Sequence, residues 1–112
     1  MKLHSTGEYV RIAALSELPP VGECREFQRA NGRLICVANV KGHFVAMDNV
    51  CPHLGGTLGQ GTVEYGFVVC PWHGWQIDPK TGVAQQDHDC KVDIYDLHIE
   101  GDDVLISSVP VR

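Results

Sequence analysis

Nothing in the 112-residue sequence approaches the roughly 18 to 20 consecutive apolar residues that a membrane-crossing helix requires. Residues 1–8 have no apolar stretch either, so a secretory signal is not expected. Basic residues are in the minority. Nine Lys and Arg against fourteen Asp and Glu leave a formal charge of −5 with neutral histidines. That sign argues against nucleic acid or an anionic membrane as the main partner, while permitting steering toward a basic protein surface. An even cysteine count is also missing. Five cysteines without an export signal do not suggest a disulfide scaffold, so metal binding or redox chemistry in a reducing compartment, the cytoplasm, is the expectation. There is no internal repeat, low-complexity tract or linker, and the length suits one domain, residues 1–112.

Helical periodicity is weak throughout. Ala13 to Leu18 suits one short helical turn, stopped by Pro19-Pro20. The rest reads as short strands between turn signals. Expected strands are Tyr9 to Ala13, Cys24 to Arg29, Leu34 to Ala38, His43 to Met47, Val63 to Cys70, Trp75 to Ile77, Val92 to Ile99 and Val104 to Ser108. Asn31-Gly32 is a strong hairpin signal between the second and third. Leu34 to Ala38 is continuously apolar and should be buried on both faces. In Val92 to Ile99 the apolar phase changes midway, which predicts a bend near Tyr95-Asp96. Eight or more short strands joined by short loops indicate an antiparallel all-β domain.

Two segments concentrate the chemistry: Cys51-Pro52-His53-Leu54-Gly55-Gly56 and Cys70-Pro71-Trp72-His73-Gly74-Trp75. Each offers one thiol and one imidazole, spaced Cys-x-His in the first and Cys-x-x-His in the second. Pro directly after Cys and Gly soon after His suit tight loops whose amides can face anionic sulfur. Cys51, His53, Cys70 and His73 would also serve zinc, but a zinc finger groups its cysteines and its histidines. Here one of each occurs per loop, which suits a two-metal cluster with unlike ends. Cys36, inside the apolar run, reads as a small buried hydrophobe. Cys24 and Cys90 have no ligand-like spacing, and a bond between them would be exceptional in a reducing compartment. His43, His88 and His98 read as surface residues and His4 as part of a loose end. Tyr65 and Phe67 read as filling around the two boxes. Trp72 and Trp75 suit either shielding of a metal site or packing of the loop base.

The paired boxes resemble the Rieske [2Fe–2S] family, whose pattern is Cys-x-His, a spacer, then Cys-x-x-His. The likeness runs over about residues 9 to 108. It implies an antiparallel β-sandwich with a smaller inserted cluster-binding subdomain, about residues 48–80. By motif position it implies one [2Fe–2S] cluster, with Cys51 and Cys70 on an inner iron and His53 and His73 on an outer one. With neutral imidazoles the oxidised cluster is formally uncharged, whereas an all-thiolate one is doubly negative, so reduction is easier. Rieske proteins of respiratory complexes carry an extra disulfide between the loops. Here Gly56 (or its neighbour Gly55) and Trp72 stand at those positions, so no such bridge is expected. Trp75 and Ile77 replace their hydroxyl residues, which predicts a potential near the low end of the range, about −150 mV.

The resemblance further implies a soluble one-electron carrier, a ferredoxin taking electrons from a flavin-containing reductase to a terminal oxygenase, with no catalysis of its own. Leu54, Pro71 and Trp72 are the expected contact face. The alternative is the small subunit of a nitrite reductase, a fixed part of an enzyme. An oxygenase would need a further domain with a mononuclear iron, for which the residues after His73 leave no room. A zinc-stabilised interaction module remains the reading of a different class.

Overall fold

The computed structural model describes residues 8–51, 55–72 and 74–112. Among these residues ten strands follow in order: β1 Tyr9–Ala14, β2 Cys24–Gln28, β3 Leu34–Val40, β4 His43–Asp48, β5 Thr62–Glu64, β6 Phe67–Val69, β7 Gln76–Ile77, β8 Ile94–Tyr95, β9 Leu97–Glu100 and β10 Asp103–Ser107. Leu15–Glu17 and Leu58–Gln60 form single 3-10 turns, the first of them within the predicted helical turn. None of the described helices is long and apolar enough to cross a membrane.

The strands make three antiparallel sheets in the orders β1-β10-β9, β2-β3-β4-β8 and β5-β6-β7. β4 pairs directly with β8 (Ala46 opposite Tyr95). The chain between them, with the small third sheet, is therefore an insertion, and the expected all-β sandwich with an inserted subdomain is what forms.

β3 explains why the core has two halves. Its side chains alternate across the sheet. Ile35 and Val37 face one apolar cluster with Ala46, Tyr95 and Ile106. Cys36 and Ala38 face another, with Met47, Leu58, Val68, Ile77 and Ile94. The predicted burial of both faces is borne out from Ile35 to Ala38 but not at Leu34, which is 41% exposed, and each fully buried Ile or Val stabilises the fold by about 1.5–3 kcal/mol. The second cluster joins the insertion to the main sheet.

Two expectations need correction. Val63 to Cys70 is not one strand but a hairpin, β5 and β6, closed by Tyr65-Gly66. Both turn residues have positive φ, 54° and 84°, as a two-residue hairpin turn demands. Tyr65 consequently stands at the tip, 92% exposed, and fills nothing. Asn31-Gly32 does close a hairpin, but only Gly32 is left-handed (φ 88°). The Asn31 side chain instead accepts the Arg33 N–H at 2.9 Å. The predicted bend falls at Asp96, which divides Val92 to Ile99 into β8 and β9 of two different sheets. The corner is closed by Ser107, whose hydroxyl accepts the Asp96 N–H at 3.0 Å and whose N–H donates to the Asp96 carbonyl at 2.9 Å.

Candidate metal centre

The described residues of both boxes lie in loops at one end of the inserted sheet. The first follows β4. Asn49, 2% exposed, clamps its two legs. The Asn49 carbonyl accepts the Leu58 N–H at 2.7 Å. The side-chain oxygen of Asn49 accepts the Gly59 N–H at 2.7 Å, and its amide donates to Glu26 Oε2 at 2.8 Å. Inside this clamp the Cys51 N–H donates to the Gly56 carbonyl at 2.7 Å and the Gly55 N–H to the Cys51 carbonyl at 3.1 Å. The second box leaves β6 directly. The Cys70 N–H donates to the Trp75 carbonyl at 2.8 Å, closing the loop, and Gly74 turns it with φ 69°. The Trp72 N–H points back at Cys70 Sγ, 3.4 Å away.

The loops meet at Gly56. A Cβ there would lie 2.8 Å from Trp72 Cγ and 2.9 Å from Cys70 Sγ, so only glycine lets the first backbone come this near the second thiol. Cys51 and Cys70, 2% and 1% exposed, are both free thiols and belong to the same buried cluster. Burial pushes the Cys70 thiol up to about 11, partly countered by the Trp72 N–H, with Cys51 adding to the rise. Two buried thiols sharing one site become a dithiolate only when a cation compensates them.

The predicted cysteines are therefore brought together by the fold. His53, His73 and Leu54 lie outside the described residues. Trp72 is 51% exposed and Pro71 is also at the surface. Trp75 packs on the core below, and Ile77 is fully buried. His43, His88 and His98 are exposed as expected, with His98 3.2 Å from Glu100. Sequence reasoning missed Asn49 and its partner Glu26. A lone Asn two residues before Cys51 gives no signal, because the strand and the loop it joins are distant in sequence.

The chain belongs to the Rieske [2Fe–2S] domain family, whose model matches residues 8–96. It is 30% identical over 105 residues to the ferredoxin component of the alkene monooxygenase system of Xanthobacter autotrophicus, across 93% of this chain and 84% of that one. Among solved structures it resembles the Sphingomonas yanoikuyae B1 ferredoxin, with a TM-score of 0.78, 26% identity, and coverage of 91% of this chain and 100% of the other. It also shares the fold of a Mycobacterium tuberculosis protein described as an NADH-dependent nitrite reductase small subunit, with a TM-score of 0.80 at 19% identity, over 96% of this chain and all of that one. The family's cofactor is one [2Fe–2S] cluster, and the chain is an electron carrier. The residues present fit that group. Two convergent buried thiols, a backbone N–H aimed at one of them and a glycine-cleared approach between the loops supply a thiolate end.

Proposed function

We propose that this carrier moves single electrons from a flavin-containing reductase to a terminal oxygenase in the cytoplasm, and that it catalyses nothing alone. Cys51 and Cys70 hold one iron and His53 and His73 the other, within a cluster-binding part of about residues 48–80. When bound, the cluster supplies reversible uptake of one electron.

The observation that carries the reading is the meeting of Cys51 and Cys70, from two loops, as free buried thiols. The chain's own residues do the rest. Burial of both sulfurs excludes water. The Trp72 N–H donates to Cys70 Sγ, and such a bond favours the anionic form. The exposed Trp72 ring, with Pro71 beside it, offers an apolar contact at the mouth of the site. A partner that must leave after each transfer needs only a small interface, below about 1,200 Å². Likeness to the alkene monooxygenase ferredoxin supports the oxygenase as acceptor.

The test is paramagnetic resonance on anaerobically prepared, dithionite-reduced protein. A rhombic signal of a mixed Cys/His cluster is expected, with a midpoint near the low end of the Rieske range, about −150 mV. An all-cysteine signal, or zinc in place of iron and acid-labile sulfide, overturns the assignment. The fold match to the nitrite reductase small subunit supports a second reading, a fixed enzyme subunit. Stoichiometric co-purification with a large subunit would favour it over a carrier found free.

A further inference from the structure

Two more cysteines come together outside the boxes, on the main sheet. Cys24 opens β2 and Cys36 lies inside β3. The register sets Cys24 opposite Ala38 and Glu26 opposite Cys36, so the two thiols lie on one face of the sheet, diagonal to each other. Both pack on the same side of that sheet, Cys36 as a buried member of the apolar cluster and Cys24 against it. Their surroundings differ. Cys36 is fully buried. Cys24 is partly exposed, and it sits on an edge strand, because β2 has a sheet neighbour on one side only.

We propose that Cys24 and Cys36 form a reversible dithiol site that reacts with low-molecular-weight disulfides, Cys24 as the attacking thiol and Cys36 as the resolving one. In the first step the Cys24 sulfur attacks one sulfur of the small disulfide. A Cys24–S–S–R bond forms, the original S–S bond breaks, and one small thiol leaves with the Cys24 proton. In the second step the Cys36 sulfur attacks the Cys24 sulfur, the mixed disulfide breaks, and a second small thiol leaves with the Cys36 proton. Two protein thiols have then lost two electrons and two protons, and one small disulfide has gained them.

The division of roles follows from access, since a reagent reaches Cys24 first and Cys36 only through it. It also follows from chemistry. The neighbouring Cys36 thiol lowers the Cys24 thiol below its ordinary range, while Cys24 and burial raise Cys36. A lowered, accessible thiol beside a second one is the arrangement that reacts selectively. Cys90 lacks it, because burial and the neighbouring Asp87 push its thiol up.

Strand geometry makes the bond labile. Diagonal neighbours in an antiparallel ladder stand about 7–8 Å apart, slightly beyond the about 6.8 Å that a relaxed disulfide spans between Cα atoms. Closure must draw the first residue of the edge strand inward, and a bond under that strain is easily reduced. The same end of β2 adjoins the inserted sheet, through the Glu23–Thr62 bridge and the Val63 N–H on the Gly22 carbonyl at 3.0 Å. Oxidation therefore acts on the seam between the main sheet and the insertion.

The experiment uses cluster-loaded protein, held without air in graded ratios of oxidised to reduced glutathione, then alkylated and digested with trypsin. Cleavage separates Cys24 (residues 12–25) from Cys36 (34–41), from the two box cysteines (42–80) and from Cys90 (81–91). The expected product is a 12–25/34–41 cross-link, reversed by dithiothreitol, with iron content unchanged and Cys24 reacting at least about tenfold faster than Cys90. Cys36→Ala should stall at the glutathione adduct on Cys24. Cys24→Ser, at a partly exposed position that tolerates the change, should leave Cys36 unmodified. The proposal is overturned by glutathione remaining on Cys24 of the natural chain with Cys36 free, by a link from Cys24 to Cys90, or by no reaction at Cys24.

Discussion

Two pairs of thiols share one apolar cluster, and they sit in it differently. Cys36, Cys51 and Cys70 are buried members of that cluster, and Cys24 packs against it. Cys24 and Cys36 lie on neighbouring strands, and β3, which carries Cys36, is paired on both sides, so the antiparallel ladder occupies its backbone amides. Cys51 and Cys70 lie in loops. There one bond closes each turn, Cys51 to Gly56 and Cys70 to Trp75, and the Trp72 N–H is left to point at sulfur. The contrast lies in where the backbone donors go. A ladder paired on both sides spends them on the next strand and leaves none for a thiol. A glycine-turned loop can turn one on an anionic ligand.

The largest expected effect breaks the comparison open. Cys51→Ser or Cys70→Ser removes a loop thiolate and should lower bound iron and sulfide at least tenfold, since even changes around metal ligands cost roughly 10–100-fold. Cys36→Ala, in the same cluster, should keep the visible spectrum and lose only about 1–2 kcal/mol of stability. Equal loss of colour in both variants would show that the cluster depends on the core rather than on the loops. Next in size is His53→Cys or His73→Cys. If the proposed ligand set is right, the added thiolate makes the oxidised centre more negative and lowers the midpoint by about 100 mV or more. An unchanged midpoint in a cluster-loaded variant counts against that histidine.

Gly56→Ala sharpens the contrast at the point where the loops touch. The new Cβ would stand 2.8 Å from Trp72 Cγ and 2.9 Å from Cys70 Sγ, so one loop must withdraw. We expect a loss of about 1–3 kcal/mol together with reduced iron occupancy, followed by urea unfolding and iron analysis. Full occupancy at natural stability would mean that the loops tolerate a wider separation.

The two pairs also differ in how far the sequence reveals them. Cys51 and Cys70 are marked by their own neighbours, because a loop's ligand, its turn glycine and its proline are adjacent in the chain. Cys24 and Cys36 are twelve positions apart, and their meeting depends on strand register, which follows from the turn between them. That turn carries Asn31-Gly32, yet it is not the two-residue turn this dipeptide favours. The continuous apolar run gave the burial of Ile35 to Ala38 on both faces, and the change of apolar phase gave the break near Asp96. It did not give the assignment of β8 and β9 to separate sheets, which rests on the Ser107 contacts. Asn49 was equally hidden, since a polar clamp has no periodicity.

The smallest effect is expected at the other end of β6, away from Cys70. Tyr65 holds φ 54°, a left-handed conformation that costs most side chains about 1–2 kcal/mol and that Asn adopts more readily. Its ring is 92% exposed, so little packing is lost on replacement. Tyr65→Asn also creates the Asn-Gly dipeptide that two-residue hairpins prefer. It should raise stability by about 0.5–1 kcal/mol in urea unfolding, with an unchanged denaturant slope and an unchanged midpoint potential. A shifted potential would mean that the tip of the hairpin and the loop beyond Cys70 respond as one body. Without such a shift, strain at this turn is local, and the metal loops depend on their own hydrogen bonds.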